Sequence, residues 1–253
     1  MDFECAKSVF EEYLNGYDRE NDKVKLKIVH TYGVIRCSEE IGRRMGLQAE
    51  DMELAKLIAL LHDIGRFEQL KRFNSFEADT MDHATYGVKV LFEEGMIRQF
   101  IEEDTWDDVI RTAIAKHSDY ELTGITDERT LLHARLIRDA DKLDNCRVKL
   151  EDAMETLLDL SADEVGKYAI SPKVREDAFA GKCICSKDRR TPMDYWVSYV
   201  AYFYDLNFQE TLDIVAEEQY VKRIIGRVPY TNEQTKKTME ELERQLTEYV
   251  RRK

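Results

Sequence analysis

The feature that most limits what this chain can fold into is a short apolar run ending in two polar residues: Leu57-Ile58-Ala59-Leu60-Leu61-His62-Asp63-Ile64-Gly65-Arg66. A helical run with no polar face has to be buried. An imidazole and a carboxylate at its buried end are costly unless something binds them. A divalent cation is the simplest partner, because His nitrogen and Asp oxygen are both first-row metal ligands. A His-Asp pair that caps the helix and bonds to itself is the competing reading, and the dipeptide alone does not separate the two. The other histidines do.

The rest of the chain is written for helices. Its 253 residues include only three prolines and eleven glycines, too few punctuators for an all-β protein. The expected class is therefore all-α. The expected organisation is a helical core over residues 1–160 and a C-terminal helical extension over 161–253, packed on it as one compact domain. The start, Met1-Asp2-Phe3-Glu4, has neither the basic region nor the apolar stretch of a signal peptide. No apolar run is long enough to span a bilayer. Five scattered cysteines, Cys5, Cys37, Cys146, Cys183 and Cys185, suit reduced thiols in a cytoplasm, and Cys183-Ile184-Cys185 is too tight for half of a zinc knuckle. A net charge of -13 disfavours polymeric nucleic acid, and no membrane partner is expected. A small anionic substrate is compatible with it if a local positive centre, such as a metal pair, offsets the field.

In chain order, Phe3, Ala6, Phe10, Tyr13 and Leu14 recur at helical spacing up to Gly16. Asn21 or Asp22 can cap the next helix, which turns Leu26, Val29, His30 and Gly33 to one face. Gly42 and Gly46 bracket the turn after it. The segment from Phe67 to Asp82 reads as a loop, and His83 opens the helix of Tyr86, Val90 and Leu91. Trp106, Ile110, Ala113, Ile114 and His117 share a stripe, as do Leu136, Ile137, Ala140, Asp141 and Asp144. Asp139 falls off its stripe and is expected in solvent or a salt bridge. Capping boxes are expected at Ser161–Glu164 and from Thr231. The aromatic run from Tyr195 to Phe208 reads as helix packing. Met239, Leu242, Leu246 and Tyr249 face one way on the last helix, which either docks on the chain or pairs it with a second copy as a homodimer.

Four of the five histidines, His30, His62, His83 and His117, thus lie at helix ends or on inward faces, joined by the inward carboxylates Asp63 and Asp141. Each has a bland explanation by itself. Six such groups on consecutive helices do not, and a helical bundle collects ligands from facing helices in this way. His133 precedes its apolar stripe and is expected at the surface or behind the ligands.

This order resembles the HD-domain superfamily of metal-dependent phosphohydrolases. It is carried by His30, His62-Asp63, His83, His117 and the Asp141 of Asp139-Ala140-Asp141-Lys142-Leu143-Asp144, over about residues 20 to 150. The resemblance implies an HD-type helical bundle. His30, His62, Asp63 and Asp141 match the minimal pattern, which implies one metal; His83 and His117 are similar to the dinuclear members. No Gly-Tyr-Pro segment is present, which disfavours a cyclic dinucleotide. By the same resemblance His30, His62 and Asp141 would hold one divalent transition-metal ion and His83 and His117 another, with Asp63 bridging; iron, manganese, cobalt, nickel and zinc all suit such ligands. Two such cations would activate a water and stabilise phosphoryl charge. The implied activity is hydrolysis of a phosphomonoester or phosphodiester in a small molecule, a nucleotide above all. Arg66 and, more weakly, Lys142 are candidates to bind its phosphate, and Phe73 or Phe76 in the stretch from Arg72 to Asp79 to stack on its base. A surface salt bridge to Glu68 is the alternative for Arg66. Two other classes share these ligands: a mixed-valent di-iron oxygenase resembling myo-inositol oxygenase, and a nucleotide-sensing module without turnover.

Overall fold

Among the residues described by the computed structural model, 2–77 and 79–252, regular structure is helical throughout and no strand occurs. Met1, Ala78 and Lys253 lie outside them, so the expected stretch from Arg72 to Asp79 is described only in part. The chain divides into two compact units, residues 1–144 and 145–253. None of the described helices is long and apolar enough to cross a membrane.

The first unit is built from α1 (Phe3–Leu14), α2 (Asp22–Met45), α3 (Ala49–Leu61), α4 (Ile64–Phe73), α5 (His83–Val88), α6 (Ile97–Phe100), α7 (Asp107–Lys116) and the greater part of α8 (Glu128–Glu151). A single π-helical turn, Lys89–Glu93, continues α5. Asn21 caps α2, its side chain accepting from the Lys23 and Val24 amides. α3 is the central element: it lies against α1, α2 and α7. Its residues Leu54, Leu57, Ile58, Leu60 and Leu61 are almost wholly buried. Each such side chain contributes about 1.5–3 kcal/mol relative to exposure, which outweighs any preference of this helix for water.

α3 ends at Leu61 and α4 begins at Ile64, so the chain breaks direction on His62 and Asp63 themselves. Gly65 then lets α4 approach α5 closely. A Cβ there would lie 2.2 Å from the His83 carbonyl oxygen and 2.7 Å from the Gly87 amide, so the two helices cross at a distance that a side chain would forbid. This contact draws the start of α5, with His83, onto the end of α3.

Three sequence expectations need correction. The segment from Phe67 is not a loop: α4 runs to Phe73, because Phe67 and Leu70 are buried at helical spacing. Gly42 lies inside α2, and the turn begins only at Gly46. The last helix is capped by Asn232, whose side chain accepts from the Thr235 amide; the Thr231 hydroxyl is directed to the Gly166 carbonyl instead.

The second unit carries α9 (Met154–Leu158), α10 (Ala162–Val165), α11 (Pro172–Phe179), α12 (Pro192–Ala201), α13 (Gln209–Glu217), α14 (Tyr220–Ile225) and α15 (Glu233–Arg252). The expected Ser161–Glu164 capping box is present. Trp196 and Phe203 are fully buried, in keeping with aromatic packing. Met239, Leu242 and Leu246 are buried, and α15 lies against α11, α13 and α14 of its own unit.

Candidate metal centre

The six residues come from six helices. His30 lies within α2, His62 ends α3, Asp63 precedes α4, His83 opens α5, His117 ends α7 and Asp141 lies within α8. The fold brings all six together in two groups, His30 with His62 and Asp141, and Asp63 with His83 and His117. Within each group the ligating atoms lie within 4.8 Å of one another. His62 Nε2 is 3.5 Å from Asp63 Oδ2, while Asp63 Oδ1 is 3.2 Å from His83 Nε2 and 3.6 Å from His117 Nε2. Asp63 therefore turns one oxygen to each group. The imidazoles form a continuous series, with ring centroids 5.7 Å apart for His30–His62, 5.3 Å for His62–His117 and 5.0 Å for His83–His117.

Local bonds assign the tautomers. His62 Nδ1 donates to the Ala59 carbonyl at 2.8 Å, and His117 Nδ1 to the Ile114 carbonyl at 2.7 Å. Both histidines end a helix, where carbonyls lack amide partners, so each ring binds its own last turn. In the neutral ring the other nitrogen is then a bare acceptor. His117 Nε2 faces His83 Nε2 at 3.1 Å and the Asp63 carboxylate, acceptors all. His62 Nε2 is buried with no hydrogen-bond partner. His30 Nδ1 bonds Asp144 Oδ2 at 2.8 Å, which turns Nε2 to Asp141 Oδ1 at 3.0 Å. At His62 Nε2, and where His83 Nε2 and His117 Nε2 face the Asp63 carboxylate, acceptors converge and repel one another unless positive charge lies among them, of which Lys27 and Arg66 supply a part. The donor set therefore fits divalent metal ions. The C-termini of α3 and α7 point their negative dipole ends at the same place and favour positive charge there.

The electrostatics agree. Burial pushes the His62 imidazole down to about 4, against the pull of Asp63 and Asp141. Burial, with the Arg66 charge added, lowers His83 to about 3. Burial works to raise the Asp63 carboxyl, but Lys27 and His62 hold it well below the usual carboxylate range. Asp141 is likewise held low by the His30 bond in spite of burial. At neutral pH these imidazoles are unprotonated and the carboxylates charged, as metal ligands must be. The Asp141 side chain is 24% exposed while those of the other five are at most 8%, so Asp141 marks the open side.

Arg66 is largely buried and does not reach Glu68, whose carboxylate binds Arg72 at 2.6 Å. Its guanidinium donates to His83 Nε2 at 2.9 Å, Gln69 Oε1 at 2.5 Å and the Phe76 carbonyl at 3.3 Å. Gln69 in turn donates to the Glu77 carbonyl and the Thr80 hydroxyl, so Arg66 and Gln69 tie the loop after α4 to the centre. Phe73 is exposed; the Phe76 ring faces Lys23 and Lys27, each 5.9 Å from its centroid. Lys142 is half-buried beside Asp141. Of the two placements expected for Asp139, solvent fails: the residue is fully buried. His133 is buried rather than superficial, and bonds Asp51 Oδ1 at 2.9 Å.

Sequence reasoning missed Lys27, whose ammonium meets Asp63 Oδ2 at 2.5 Å, and the part played by Asp144. Both carried a signal. Lys27 is three residues before His30 and Asp144 three after Asp141, so each shares its ligand's helix face. Asp144 reaches His30 only because Gly33 leaves room: a Cβ there would lie 1.9 Å from Asp144 Oδ1.

No curated protein and no solved structure gives a match to the chain. Residues 28–146 match the HD domain family, and all six candidate ligands fall inside that span. HD domains bind divalent metals, and the family consists in general of metal-dependent phosphohydrolases. The acceptor-rich centre and the family match converge on one statement: residues 28–146 of this chain form an HD domain.

Proposed function

We propose that the chain is a metal-dependent phosphohydrolase that cleaves a phosphomonoester or phosphodiester bond of a small molecule, with a nucleotide as the favoured substrate class. The observation that carries this reading is the pair of acceptor-rich groups sharing Asp63, one carboxylate oxygen to each. His30, His62 and Asp141 would hold one divalent cation and His83 and His117 a second, with Asp63 reaching both. Bound there, such ions supply Lewis-acid stabilisation of phosphoryl charge and lower the pKa of a water towards about 7. The protein's own part is orientation. Asp144 aims His30, the Ala59 and Ile114 carbonyls aim His62 and His117, and the buried wall of α3 keeps bulk water from one side. Lys27 and Arg66 place positive charge beside Asp63 in a chain of net charge -13, which suits an anionic substrate entering at Asp141.

The test is metal analysis of freshly purified protein, together with phosphate release from a panel of nucleotides and phosphodiesters under anaerobic conditions with added manganese. Two metal equivalents and anaerobic phosphate release are expected. Iron content with oxygen-dependent substrate loss would replace the hydrolase by an oxygenase. Tight nucleotide binding without turnover would replace it by a sensor.

A further inference from the structure

We infer that Arg138 is a positioning residue for His117, and so for the second ligand group alone. Arg138 is 2% exposed, one of the largest fully buried side chains in the protein. A guanidinium is rarely retained in such a place unless its protons are bonded, because its desolvation is costly. Here Nη1 points at three backbone carbonyls that close α7: Lys116 at 3.0 Å, His117 at 3.2 Å and Asp119 at 2.6 Å. These lie at or just past a helix C-terminus, where carbonyls lose their amide partners and a cation is favoured by the dipole. His117 is the residue on which that helix ends. Its ring is fixed to the Ile114 carbonyl on one side and its backbone to Arg138 on the other, which leaves Nε2 facing Asp63 and His83. Without the clamp, the turn from 116 to 119 would have to find other donors and would carry the imidazole with it.

Arg138 also lies on α8, three residues before Asp141 and hence on a neighbouring part of the same helix face. One helix thus delivers a ligand to the first group and braces a ligand of the second. This inference rests on the two-metal reading above.

The experiment uses the full chain and measures bound manganese or cobalt per protein after loading and gel filtration, with the absorption of the cobalt form as a second readout. Wild type is expected to hold two equivalents. Arg138→Met is expected to keep its helical circular dichroism and one equivalent, with affinity for the other lowered about 10–100-fold, the range typical of outer-shell partners. His117→Ala should lose the same equivalent, and the double variant should lose no more than His117→Ala alone, as expected of residues acting through one another. Arg138→Lys, which retains the charge and fewer donors, should fall between wild type and Arg138→Met. It also keeps the test decisive if Arg138→Met does not fold. A general structural role would weaken both equivalents together and would overturn the assignment. So would two equivalents with unchanged affinity in folded Arg138→Met or Arg138→Lys. A single equivalent in wild type that His117→Ala leaves in place would instead refute the two-metal reading itself.

Discussion

Gly33→Ala is the smallest change that reaches the centre without touching a ligand. The new Cβ would lie 1.9 Å from Asp144 Oδ1 and 2.3 Å from its Cγ, where ordinary contact begins at 3.4 Å. The carboxylate has to withdraw by about 1.5 Å, and its 2.8 Å bond to His30 Nδ1 cannot survive that. Losing a buried hydrogen bond to a charged group costs about 1.5–3 kcal/mol. Replacing glycine by alanine inside a helix returns about 1 kcal/mol. The net loss is therefore about 0.5–2 kcal/mol, which lowers the apparent Tm by roughly 1–8 °C for a chain of this size. With His30 no longer aimed, affinity for the metal of the first group should fall about 10–100-fold. Thermal unfolding of the metal-stripped protein and calorimetric metal titration read the two effects separately. In a Gly33→Ala, Asp144→Ala double variant the obstruction is gone, so it should be no less stable than Asp144→Ala alone. A Gly33→Ala protein with wild-type Tm and wild-type metal affinity would refute the reasoning.

The same geometry has other consequences. Gly65→Ala places a Cβ 2.2 Å from the His83 carbonyl, a backbone atom that cannot swing aside. It should separate α4 from α5 and cost the second metal equivalent before the first, measured by metal stoichiometry. Burial lowers the His133 imidazole, which bonds Asp51. The unfolded chain then binds the extra proton, so this stability is complete above the ordinary value near 6.5 and declines as the pH falls below it. The drop in Tm between pH 7.5 and 5.5, two values chosen about one unit either side of the unfolded histidine value, should accordingly be smaller in His133→Gln than in wild type. Loading the centre with manganese at about 100 times Kd should stabilise the fold by about 2.7 kcal/mol, and a chelator should reverse this. No change in Tm on chelation would count against ions held by residues of the folded centre.

Much of this molecule was already legible along the chain. Scarce proline and glycine and the spacing of apolar residues specify helices, because burial of one face acts on neighbours three and four residues apart. The same periodicity marked His30, His117 and Asp141 as facing inward, and the apolar run into His62-Asp63 could end nowhere but in a core. Helix ends were less visible. α4 continues to Phe73 through a segment rich in polar residues, since two buried side chains, Phe67 and Leu70, suffice to hold its inner face. The burial of Asp139 and His133 was less visible for a related reason: a stripe drawn from apolar residues omits polar groups that are buried with partners, such as His133 on Asp51.

Tertiary structure alone decided the rest, and the reason is distance along the chain. That Asp63 divides its two oxygens between the groups depends on where α2, α5 and α7 meet α3. Gly33 matters because Asp144, 111 positions later, fills the space its missing Cβ leaves, and Arg138 because α8 crosses the end of α7. Local periodicity says which way a side chain faces. Only the packing of one helix on another says what it finds there.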